Sequence, residues 1–152
     1  MKNFKNIYIA VFFVLFTSCG YTPLINSVNN DFNIESIAFK GDRQINNYIS
    51  RTLKKYQNKK DFEKNYKIEI RSEYQKNITN KDESGNPKNY SVKAMTSIIL
   101  VNGDSEVTQN FERSLTFSAL SKKIDENEIE KKYKKNISNL IAEDIIFFLR
   151  NQ

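Results

Sequence analysis

The chain has 152 residues, enough for one domain of ordinary size, and its 39% hydrophobic and 28% charged residues suit a small globular fold rather than a disordered chain. It contains no histidine and a single cysteine. The commonest metal ligand and general base is therefore missing, and neither an internal disulfide nor a cysteine-rich zinc site can form. The formal charge of +6 favours anionic partners such as phosphate-bearing lipids without naming one.

The first residues look like a targeting segment. Lys2 and Lys5 form a positive start, which leaves about +4 for the remainder. Ile7 to Phe16 is an unbroken apolar run of ten residues. A spanning helix needs about 20 apolar residues, so this run has the length of a signal-peptide core instead. Thr17-Ser18-Cys19-Gly20 follows, with small residues ahead of the only cysteine. That pattern resembles the lipobox cleaved before a diacylglyceryl-modified cysteine, although Phe16 stands where Leu is preferred. Gly20 is not the aspartate that retains lipoproteins in the inner membrane, which points to the outer membrane, on its periplasmic side. The expected organisation is a lipoprotein signal peptide over 1–18, a lipidated N-terminus and tether over 19–33, and one domain over 34–152. Each buried acyl CH₂ contributes roughly 0.8 kcal/mol, so a multiply acylated Cys19 is a stable membrane anchor.

The domain reads as alternating periodicities. Ile34 to Phe39 is a short apolar strand ending near Gly41. Asp42 can cap a helix over 43–57, whose Ile45, Tyr48, Ile49, Thr52, Leu53 and Tyr56 share one stripe. From Tyr66 to Ile78 the chain alternates. Tyr66, Ile68, Ile70, Tyr74 and Ile78 point one way, and Lys67, Glu69, Arg71, Glu73, Gln75 and Asn77 the other. Gly85, Asn86 and Pro87 mark a turn before a strand over 90–101. Asn102-Gly103 signals a tight hairpin, and Val107 to Ala119 forms the return strand. Asp125 and Glu128 resemble a capping box for a helix over 126–150. Its stripe is Ile129, Tyr133, Ile137, Leu140, Ile141, Ile145 and Phe148. The element order is β-α-β-β-β-α. Two one-sided helices and a one-sided sheet imply an α+β two-layer sandwich, with both helices on one face of a four-stranded sheet.

No catalytic constellation is visible. There is no Gly-rich phosphate loop, and the absence of histidine rules out a Ser-His-Asp or Cys-His set. Asp82 and Glu83 are most simply turn residues, and Glu126, Glu128 and Glu130 suit the positive end of a helix dipole. No cofactor or metal is expected. Lys131, Lys132, Lys134 and Lys135 read as a solvated helix face. Lys76, Lys81 and Lys88 flank the loop between the second and third strands, near Tyr74 and Tyr90. Cations beside aromatic rings suit an amphipathic anion.

Together these pieces resemble the lipopolysaccharide-assembly lipoprotein family (LptE). The opening Cys19-Gly20-Tyr21-Thr22-Pro23-Leu24, the element order, and the final Leu115–Ala119 strand with its long helix carry the resemblance. It implies a non-enzymatic outer-membrane protein, held by its lipid anchor, that plugs an LptD-type β-barrel and binds lipopolysaccharide. It also implies that basic loop residues meet the lipid. Lys76, Lys81 and Lys88 are the candidates for that role, and Tyr74 and Tyr90 for barrel contact. Nucleic acid is not an expected partner. A lipoprotein adaptor of another envelope machine, such as barrel insertion or phospholipid transport, is the alternative.

Overall fold

The computed structural model describes residues 32–59, 62, 64–102 and 105–152; Cys19, the leader and most of the tether lie outside them. In chain order the elements are β1 (Phe32–Gly41), α1 (Arg43–Leu53), β2 (Lys64–Lys81), β3 (Pro87–Asn102), β4 (Ser105–Ser118) and α2 (Lys123–Arg150), with a 3-10 turn at Lys54–Tyr56. The sheet order is β1-β2-β3-β4. β1 runs parallel to β2 across the α1 connection, and the other pairs are antiparallel. This is the expected α+β sandwich, in the expected element order.

Asp42 starts α1 as the sequence suggests. Its carboxylate accepts from the backbone N–H of Gln44 and of Ile45, both at 2.9 Å. α1 ends earlier than expected, at Leu53, because the chain tightens into the 3-10 turn and then reverses at Asn58, which has φ 55°. Gly41, at φ +90°, makes the sharp exit from β1, and a Cβ there would overlap the Ser72 carbonyl oxygen. The strand pairing explains that crowding, since Gly41 lies opposite Ser72.

β1 begins at Phe32, two residues before the expected strand. Phe32 is fully buried and stacks on Tyr56, with ring centroids 5.1 Å apart, and lies 5.9 Å from the Tyr66 ring. The Asn33 amide donates to Asn65 Oδ1 at 2.8 Å, and its oxygen accepts from the Lys59 backbone N–H at 2.9 Å. Aromatic packing and these bonds explain why the polar-looking start belongs to the fold.

One apolar core lies between the layers. Ile68, Ile70, Ala94, Ile98 and Leu100 from the sheet meet Ile45, Ile49 and Leu53 from α1 and Ile137, Ile141, Ile145 and Leu149 from α2. Each such side chain contributes about 1.5–3 kcal/mol on burial. The stripe of α2 is rotated from the expected one. Leu140 is partly exposed, whereas Ser138, Ala142 and Ile146 are buried. α2 also begins at Lys123, so Asp125 and Glu128 form no capping box. The cap position falls on Lys122, whose side chain makes no capping bond.

The opposite sheet face is unlayered among the described residues. Its ions pair along the surface: Lys40 and Arg71 with Glu69, Lys67 with Glu35, and Lys93 with Glu112. Between β3 and β4 the pairing runs down to Asn102 and Ser105, leaving Gly103 and Asp104, both outside the described residues, as the connection. No described helix is long and apolar enough to cross a membrane.

Candidate functional site

β2 and β3 extend past the hydrocarbon core, and their even-numbered residues continue on the helix-covered face. There Tyr74 pairs across the sheet with Ala94, Lys76 with Val92 and Ile78 with Tyr90. The first half of α2 lies over this stretch, but isoleucines do not fill the gap. Ions and rings do.

The centre of the cluster is the Glu130 carboxylate. Oε1 accepts from the Tyr74 hydroxyl at 3.0 Å and lies 3.7 Å from the Lys134 ammonium, while Oε2 accepts from Lys76 Nζ at 2.9 Å. One turn earlier, Glu126 Oε1 accepts from Lys76 at 2.8 Å and from Lys123 at 2.7 Å. The Glu126 side chain is only 5% exposed and that of Lys76 19%. Rings line the same space. Lys76 Nζ lies 4.1 Å from the Tyr90 ring centroid and 5.4 Å from that of Phe117, and Lys134 Nζ lies 3.8 Å from that of Tyr74. Phe117 stacks in turn on Tyr133, with centroids 5.3 Å apart. Lys134 also donates to Gln44 Oε1 at 3.0 Å, tying the cluster to α1.

These contacts move the titrations. Hydrogen bonds from Lys123 and then Lys76 hold the Glu126 carboxyl below the usual carboxylate range. For Glu130, burial pushes upward, but hydrogen bonds from Lys76 and Tyr74 outweigh it and the net direction is down. Burial pushes Lys76 downward, and the two carboxylates overcome it, so its ammonium is held above the ordinary lysine range. Burial first, and then the bond to Glu130, raises the Tyr74 phenol far above its usual value. The Lys76 ammonium and both carboxylates are therefore charged at neutral pH.

The sequence candidates thus separate into two groups. Lys76, Tyr74 and Tyr90 come together, but under α2, and the Lys76 ammonium is committed to Glu126 and Glu130. Lys81 and Lys88 stand apart as exposed residues flanking the β2–β3 turn. That turn is built by Asp82, which accepts from the backbone N–H of Ser84 at 3.0 Å and of Asn86 at 2.8 Å. Ala119 N–H donates to the Lys88 carbonyl at 2.9 Å, which fixes the start of the linker to α2 beside the turn.

Sequence reasoning missed Glu126, Glu130 and Lys134 as members of the cluster. The signal was present in their spacing. Positions 126, 130, 134, 137 and 141 lie on one helix face, so the acidic and basic residues continue the core stripe rather than the solvated side.

Several concavities lie elsewhere among the described residues, two of them beside the sheet. One of about 480 Å³ on the open sheet face is lined by Arg71, Glu73, Met95, Ser97, Asn110 and Glu112. One of about 430 Å³ lies between β4 and the end of α2, beside Phe111, Phe148 and a Phe147 that is 72% exposed. The Arg113 guanidinium grips Asp144 in this groove through two bonds of 2.9 and 2.6 Å. Among the described residues no three carboxylates or cysteines converge on a metal-sized space.

No protein-family model matches the sequence. No curated protein matches it either. Solved structures do match in fold. The chain superposes on rare lipoprotein B from Shewanella oneidensis with a TM-score of 0.55 at 7% identity, covering 77% of this chain and 98% of that one. Lipoprotein B from Nitrosomonas europaea gives 0.52 at 16% identity, covering 77% and 85%. A minor lipoprotein from Acinetobacter baumannii gives 0.50 at 10% identity, covering 74% and 92%. At such identities the likeness establishes a shared fold, and the chain has the two-helix, four-stranded architecture of these bacterial lipoproteins.

Proposed function

We propose that this chain is an outer-membrane lipoprotein of the lipopolysaccharide-assembly type. Cys19 is acylated and holds the domain at the periplasmic side of the outer membrane. The domain seats against an LptD-type β-barrel and binds lipopolysaccharide without performing chemistry on it. The observation that carries this reading is the fold shared with proteins named as lipoproteins, over nearly the full length of the Shewanella structure. The lipobox-like Thr17-Ser18-Cys19-Gly20 and the exposed Lys81 and Lys88 at one end of the sandwich support it.

Co-purification of the tagged full chain after membrane solubilisation tests the partner. A large β-barrel protein is expected in the eluate, and its absence overturns the reading. Depletion of the chain should make lipopolysaccharide accumulate inside the cell. If barrel proteins or phospholipids are mislocalised instead, the adaptor reading replaces this one. Mass spectrometry of the mature N-terminus should show an acylated cysteine. Cys19→Ser should leave an uncleaved, unacylated precursor.

A further inference from the structure

The carboxylate of Glu130 is held by two donors, the Lys76 ammonium and the Tyr74 hydroxyl, with the Lys134 ammonium 3.7 Å away as an ion pair. Glu126 fills the remaining reach of Lys76 and binds Lys123 as well. Three ammoniums, of Lys76, Lys123 and Lys134, face the two carboxylates, and the more distant Asp42 carboxylate is felt at Tyr74. The walls of this pocket are the rings of Tyr74, Tyr90 and Phe117. Ammonium and hydroxyl donors around one oxyanion, with apolar ring faces beside them, would suit the phosphate monoester of an amphiphile as well as they suit a carboxylate.

The group that fills the pocket is also the group most easily withdrawn. Both carboxylates lie in the first turns of α2. That helix start has no side-chain cap. Lys123 is largely exposed, and Ile124 is 74% exposed. The apolar core of α2 begins only at Ile137. A helix start held by ion pairs rather than by buried hydrocarbon sits at the low end of local stability.

We propose that Lys76, Lys134 and Tyr74 form a phosphate site that is self-occupied in the free protein, with the Glu126–Glu130 turns of α2 as its internal stand-in. A phosphate monoester, as a lipid head group or free, displaces those carboxylates, and the start of α2 loosens as it binds. The proposal rests on the reading of the chain as a binder of phosphorylated lipid. It can fail while the co-purifying barrel is still found.

The test uses the full chain reconstituted into phosphatidylcholine vesicles that carry either phosphatidic acid or the diester phosphatidylglycerol at matched surface charge, so that anchoring and charge are equal and only the monoester differs. Backbone amides of residues 123–131 should exchange about tenfold faster when phosphatidic acid is present, which corresponds to about 1.4 kcal/mol of lost local protection. Unchanged exchange there overturns the proposal. Glu126→Gln with Glu130→Gln vacates the negative charge without removing the side chains, and should bind about tenfold more phosphate than the native chain. Lys76→Met in that background should abolish the gain. Inorganic phosphate alone separates the sources: a gain with both probes means that the phosphate suffices, and a gain only with vesicles means that the lipid is required. No gain with either overturns the site. Circular dichroism of each variant establishes that the sheet is retained.

Discussion

Among the described residues, Gly41 has little freedom to change. Its positive φ and the Ser72 carbonyl against it leave no room for a side chain. Gly41→Ala should cost about 1–3 kcal/mol from backbone strain, and more from the overlap. A lowered midpoint of urea unfolding at an unchanged slope is the expected readout. Ser72 shares the junction, donating from its hydroxyl to Asn46 Oδ1 at 2.7 Å, and the Asn46 amide donates to the Lys40 carbonyl at 2.9 Å. In the core, Ile141→Ala should cost about 2–5 kcal/mol, because the site is fully buried between two layers that cannot collapse independently. Equilibrium unfolding monitored by circular dichroism measures it.

At the scale of elements, the two halves of α2 are held by different physics. The second half is bound mainly by hydrocarbon, with the Arg113–Asp144 pair at its rim. The first half is bound by Glu126 and Glu130, whose carboxyls titrate below the ordinary range in the folded chain. Their contribution is complete above the unfolded carboxylate value of about 4.3 and is lost as pH falls through the lower folded values. Lys76 has the opposite sign: its contribution is complete below about 10.4 and is lost as pH rises through the higher folded value. Acidification from about pH 5 to pH 3 should therefore release amides 123–131 before amides 137–149. Hydrogen exchange across that range reads the difference. Glu126→Gln with Glu130→Gln should flatten the acid limb, and an unaltered limb would show that other carboxylates control it.

The same division explains what was legible in the sequence. Alternation along residues 66–78 and the stripes of both helices identified the elements, their order and the single-sided core, because apolar periodicity reports burial directly. The rotation of the α2 stripe was not legible, since Ile146 and Leu149 compete with Leu140 and Phe148 in a stretch that is apolar on several sides. Phe32 and Asn33 were unreadable as strand because their partners, Tyr56, Tyr66, Asn65 and Lys59, are more than 20 residues away. The ion cluster was hidden for a related reason. A buried glutamate and an exposed one look alike until the strand that carries Lys76 is laid beneath the helix.

At the scale of the whole molecule, the charges are unevenly employed. The open face of the sheet spends its ions on surface pairs with one another. The turn end keeps Lys81 and Lys88 exposed around a rigid Asp82-centred loop. Under the proposed function, Lys81→Glu with Lys88→Glu should weaken capture of lipopolysaccharide by the solubilised chain while leaving the barrel in the eluate, because turn residues carry little of the core. Loss of both together would mean that the turn serves barrel contact instead.

The packing at Phe32 has a mechanical side. Under the proposed function, the pull of a membrane anchor on Cys19 reaches the described fold at this point. A strand end would ordinarily peel from its edge one bond at a time. Here the load meets the Phe32 ring, stacked on Tyr56 and tilted against Tyr66, and behind it Asn33 is tied to both Lys59 and Asn65. The three rings come from β1, the turn after α1 and β2, so a tug on the chain is shared among three segments before any strand can unzip. The aromatic stack is a strain relief, placed where a leash would meet the fold.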